Sequence, residues 1–159
     1  MKSVPRKSSE TESESVKSCS LRQHFSAIIG APVLGIKKGE GSFLVITFGV
    51  ASASHELWVY MCDWELRGPR NSLIACSETV SVHSAASLHV LNGLHLTDIR
   101  SNDKQTELCL VFDGEYMLFL DDASDIYGSG SEMLVFFEGG KHVNTFLSPG
   151  GVSPLREGC

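Results

Sequence analysis

The sequence predicts an α+β fold: a mostly antiparallel, curved sheet or a β-sandwich or half-barrel of two similar halves, with two short helices. Three observations predict it. Apolar residues alternate with polar ones over many short runs, which is the period of half-buried strands. Glycine-centred turns join those runs over a few residues, too few for helical crossovers. An internal repeat also carries Phe25, Ile28 and Gly30 onto Leu88, Leu91 and Gly93, and Val33 and Ile36 onto Leu96 and Ile99. After one inserted residue, Leu44, Ile46 and Phe48 reappear as Leu108, Leu110 and Phe112. The repeat falls on apolar positions and a glycine, so it repeats a folding plan rather than a chemistry.

The first element is a helix. Ser20 and Gln23 suit a capping box and Gly30 a C′ position. Leu21, Phe25, Ile28 and Ile29 fall on one helical face. Its counterpart spans Ser84 to Asn92 and ends at Gly93, with only Leu88 and Leu91 to define a face. From Glu56 to Arg67 a single strand is expected, with Trp58, Tyr60, Cys62, Trp64 and Leu66 on the core side. Leu57, Val59 and Met61 then fall on the opposite face. Gly68-Pro69 closes that strand and Ser72 to Cys76 returns. Asp113-Gly114 between two apolar runs suits a type I′ hairpin turn. Two further strands, Met133–Phe137 and Val143–Leu147, flank Gly139-Gly140, and Asp121 to Ser131 reads as a loop.

At 159 residues and 42% hydrophobic composition the chain suits one domain with a sizeable core. Residues 1–19 read as a disordered polar tail, because their composition cannot offset the entropy of ordering. The domain spans residues 20–150, in halves 20–83 and 84–150, with a C-terminal tail at 151–159. No apolar run is long enough for a membrane helix and no secretory signal is present, so a cytoplasmic protein is expected. The five cysteines agree, being odd in number and forming no CxxC pair, and Cys62, Cys76 and Cys109 inside strand-like runs read as small buried hydrophobes.

No motif carries chemistry. The six histidines form no metal-ligand spacing, so no metal or cofactor is expected. No nucleophile elbow, phosphate cradle or basic aromatic face appears, so neither catalysis nor nucleic-acid binding is expected. Glu138 and Lys141 are three residues apart, whereas a strand-borne nuclease site requires two on one face. Charge is the one asymmetry: residues 84–159 hold four basic and eleven acidic side chains. Asp121, Asp122, Asp125 and Glu132 are the candidate partner-binding acids, on a loop free to adapt to a basic surface. Failing that patch, the strand face of Leu57, Val59 and Met61 is the alternative interface.

A resemblance joins these features. Phe48-Gly49, Trp58 and Trp64-Glu65-Leu66 in the first half precede Glu107, Leu108, Leu110, Phe112 and Gly114 in the second, with a glycine-rich C-terminal hairpin. Over residues 20–150 the chain resembles small, uncharacterised bacterial proteins, some of which look like immunity proteins for delivered toxins. Glu65 stands where that pattern has arginine, and Thr106-Glu107 where it has Gly-Asp. The resemblance implies a non-catalytic protein that neutralises a toxin by masking a basic surface, and it transfers no catalytic residues. The alternative is a small-molecule carrier, its curved sheet lined by Trp58, Trp64 and Phe112.

Overall fold

A computed structural model describes residues 21–50, 53–79, 82–102, 106–122, 131–148 and 151–154. Antiparallel β-structure dominates it. The strands in chain order are β1 (Val33–Lys38), β2 (Leu44–Val50), β3 (Ala53–Val59), β4 (Cys62–Arg67), β5 (Leu73–Cys76), β6 (Leu96–Ser101), β7 (Glu107–Phe112), β8 (Tyr116–Asp122), β9 (Ser131–Glu138), β10 (Lys141–Ser148) and β11 (Gly151–Pro154). Sheet I has the order β1-β2-β3-β9-β10-β11 and sheet II the order β6-β7-β8-β4-β5. One hydrophobic cluster, with Phe25, Phe48, Trp64, Phe112 and Phe136 among its fully buried members, draws on both sheets.

The order of each sheet follows one rule. A half contributes a three-stranded meander to one sheet, then crosses to give a hairpin to the other. Replacing β1–β5 by β6–β10 turns the first five positions of sheet I into sheet II. The repeated residues occupy equivalent places: Leu44, Ile46 and Phe48 are fully buried in β2, as Leu110 and Phe112 are in β7. The halves also bind each other reciprocally. Gly30 N–H donates to Leu96 O at 2.7 Å, and Gly93 N–H to Val33 O at 2.8 Å. Val33 N–H donates to Leu94 O at 2.8 Å and Leu96 N–H to Ala31 O at 3.1 Å. Pro32 and His95 face one another across a single antiparallel bridge at the centre of this exchange. Even the irregularities repeat, since β1 is bulged between Val33 and Gly35 and β6 between Leu96 and Asp98.

Helix is a small part of the fold. Residues 21–24 make one α-helical turn and continue as turns to Gly30. The second helical segment, Val82–Leu91, is a 3-10 helix. Gly30 and Gly93 both end their segments with left-handed backbone, at φ 86° and 84°. Asp113 and Gly114 are both left-handed (φ 50° and 72°), the type I′ pattern.

Two expectations about strands are corrected. The run from Glu56 to Arg67 is two strands in different sheets, broken at Tyr60-Met61, where Met61 has φ 23°. Leu57 and Val59 face the core in β3, whereas Cys62, Trp64 and Leu66 face it in β4. The buried parity switches at the crossing because the chain passes from one side of the core to the other. Trp58 therefore lies on the outer face of sheet I, half-buried, and Leu57 and Val59 are core rather than an exposed face. Residues Gly151–Pro154, assigned to a tail, form β11 against β10. The tail at 1–19 lies outside the described residues.

Candidate functional site

The outer face of sheet II carries a hollow of about 370 Å³ lined by Asp63, Glu65, Glu78, Glu107, Asp121 and Phe119, with Cys76 and Ser77 at one side. Its construction follows from strand alternation. Trp64 and Leu66 point into the core, so Asp63 and Glu65 must point out, and Leu118 and Leu120 impose the same on Phe119 and Asp121. Register then aligns the acids. Glu107 pairs with Asp121 in β7–β8, and Asp121 with Asp63 in β8–β4, so three carboxylates lie in a row across three strands. Like charges directly opposite one another destabilise a sheet, so this row costs the fold something it does not need for packing.

Few groups nearby relieve that charge. Arg67 donates to Glu65 through Nε at 3.1 Å and Nη2 at 3.0 Å, and Ser77 Oγ lies 3.5 Å from Asp63 Oδ1. Phe119 stays 36% exposed beside the acids, cross-strand from Glu65 and Cys109. Cys109 is half-buried on this outer face, and burial pushes its thiol pKa up to about 11, with Arg100 opposing and Asp98 assisting. Cys62 is a core residue, but Cys76 and Cys109 are only partly buried, which corrects the expectation for those two.

The pseudo-equivalent position on sheet I is filled differently. Phe43 and Tyr60 stand where Glu107 and Asp121 stand on sheet II, and Trp58 where Phe119 stands. Phe43 meets Trp58 edge-on at 5.4 Å and Tyr60 edge-on at 5.7 Å. Trp58 also packs at 4.5 Å against Phe137. Aromatic rings thus close on sheet I the place that carboxylates leave open on sheet II.

Three of the four candidate acids fall within the described residues, two on β8 of sheet II and one on β9 of sheet I. Asp121 lies in the hollow, but on a regular strand rather than a flexible loop, because the β4–β8 ladder extends through it. Asp122 ends β8 opposite Cys62. Asp125 lies outside the described residues. Glu132 is exposed on β9, in the other sheet. The acids that do join Asp121 are Asp63, Glu65, Glu78 and Glu107. The first half of the chain balances its charges, so a count along the sequence hides three of them. The register that gathers them depends on which strands become neighbours.

The carrier arrangement is not seen either. Trp64 and Phe112 are packed within the core, and Trp58 lies on the far side of sheet I from it. Among the described residues no helix is long and apolar enough to cross a membrane, and no group of three His, Cys, Asp or Glu is arranged to hold a metal ion. No protein-family model, curated protein or solved structure matches the chain.

Proposed function

We propose that this chain is a non-catalytic binding protein whose hollow on sheet II receives basic side chains of a protein partner. One observation carries the reading: Glu107, Asp121 and Asp63 form a like-charged row across three strands, with Glu65 and Glu78 around the same hollow. Such a row is unfavourable alone and favourable once a guanidinium or ammonium group enters it. The exposed ring of Phe119 adds a surface on which a guanidinium stacks. The resemblance to immunity proteins gives the biological setting, in which the partner is a delivered toxin and binding masks its basic surface. Complementary charge also speeds encounter, which suits a protein that must intercept its target.

The test is charge reversal in the hollow. Asp63→Lys with Asp121→Lys should abolish binding of a basic partner or basic peptide, and wild-type binding should weaken as salt rises. Circular dichroism and thermal unfolding should show both proteins folded. Binding indifferent to both reversal and salt overturns the reading.

A further inference from the structure

The two halves differ at one strand. In sheet I the hairpin β9–β10 is followed by β11, which pairs antiparallel with Asn144–Leu147 of β10. In sheet II the equivalent hairpin is β4–β5, and β5 ends the sheet. The match is close in detail. Phe136 pairs with Asn144 as Leu66 pairs with Ala75, and a bulge follows in both ladders, between His142 and Asn144 in one and between Leu66 and Arg67 in the other. The chain after β5 does not fold back as a strand but leaves through a turn, Thr79 N–H donating to Cys76 O at 3.2 Å. The position that β11 occupies in sheet I therefore has no counterpart in sheet II among the described residues.

We infer that β5 accepts an added antiparallel strand from an extended, basic segment of the protein partner. The inference rests on the hollow being a binding site, since the rim of that hollow is β5 and the residues after it: Cys76, Ser77 and Glu78. Two further observations support it. Ser77 N–H is bonded to Trp64 O at 2.9 Å, so strand alternation directs the Cys76 N–H away from β4, where no strand pairs with it among the described residues, although Cys76 O on that side accepts from Thr79 N–H. The strand itself also carries no charged or proline guard. Natural edges are guarded by charge or proline, and β1 carries Lys37 and Lys38, β6 carries Asp98 and Arg100, and β11 carries Pro154. The sequence of β5, Leu73-Ile-Ala-Cys76, has neither, and Leu73 is 56% exposed. A strand laid here takes main-chain hydrogen bonds from β5 and projects alternate side chains over the sheet face, where the carboxylates select basic ones.

The test uses a short synthetic peptide alternating threonine and arginine, and measures its affinity for the full chain by fluorescence anisotropy. Two derivatives are N-methylated, one at every threonine and the other at every arginine. In a third, glutamate replaces arginine. Only strand addition makes alternate N–H groups matter. One N-methylated peptide should therefore lose at least about tenfold in affinity, while the other binds like the parent. If both derivatives bind like the parent, or both weaken equally, strand addition is overturned while the acidic hollow stands. If the glutamate peptide binds as well as the arginine peptide but keeps the alternation, the edge stands and the acidic reading falls. No binding by any peptide overturns the inference, as does a concentration-dependent dimer that the peptide fails to dissociate, since a second copy then occupies β5.

Discussion

Trp64 donates its indole N–H to the carbonyl of Ser42 at 2.8 Å, joining β4 of sheet II to the β1–β2 turn of sheet I. The same turn is gripped from within by the largely buried Lys38, whose Nζ donates to Gly39 O at 2.6 Å and also to Gly41 O. Three carbonyls of one turn, those of Gly39, Gly41 and Ser42, are thus held by two buried donors. Trp64 is 1% exposed, so it contributes both packing and this bond.

The two tryptophans should consequently behave differently. Trp64→Ala removes a fully buried side chain and should cost about 3–5 kcal/mol. Trp64→Phe, which keeps most of the ring and loses the Ser42 bond, should cost at least about 1 kcal/mol. Trp58→Ala on the outer face should cost less than Trp64→Ala by about 2 kcal/mol. Chemical denaturation of the three variants checks the order, and equal costs for Trp58 and Trp64 would contradict the parity switch at Met61.

The pairing of halves predicts matched effects at Gly30 and Gly93. Both have strongly positive φ, and a Cβ at either meets nothing within 4 Å, so substitution costs conformation and not space. Gly30→Ala and Gly93→Ala should each lower stability by about 1–2 kcal/mol. Denaturant midpoints would measure this; a large difference between them would mean that the two ends are not equivalent.

Cys109 provides a pH prediction. Burial raises its pKa to about 11, so the thiol stays protonated in the folded state where an unfolded thiol has begun to ionise. The contribution to stability is complete below the unfolded value near 9.0 and is lost as pH rises through the folded one. Site-resolved alkylation with iodoacetamide should find Cys109 slow at pH 8–9, accelerating only toward pH 11. Rapid alkylation at pH 8 in folded protein would contradict the raised thiol pKa.

The mostly antiparallel arrangement was legible because alternation and Gly turns are local, whereas the number of strands was not, since the break at Tyr60-Met61 and the strand Gly151–Pro154 each add one. The repeated core positions were legible too, since Leu44, Ile46 and Phe48 and their counterparts face inward whichever strands become neighbours. What was not legible is the crossing at Tyr60-Met61. Leu57 and Val59 on one parity, and Cys62, Trp64 and Leu66 on the other, can be read as one two-sided strand, and nothing local marks the change of sheet. The hollow was hidden for the same reason. Asp121 is recognisable as an acid near a turn, but its neighbours Asp63 and Glu107 reach it only through β8 lying between β4 and β7.

The like-charged row carries a stability prediction of its own. Asp121→Asn removes the centre of the row and should raise the thermal midpoint by on the order of 1–3 °C at low salt, the gain shrinking as salt is added. A fall in midpoint would show that the carboxylate is held by favourable partners.

The most direct measurement is an NMR titration of the labelled full chain with the threonine–arginine peptide. The binding account predicts amide shifts centred on Asp63, Glu65, Cys76, Ser77, Glu107 and Asp121, saturating at low salt, suppressed at high salt and absent in the Asp63→Lys, Asp121→Lys protein. Shifts centred instead on Phe43, Trp58 and Phe137, or the same shifts in the charge-reversed protein, would contradict it.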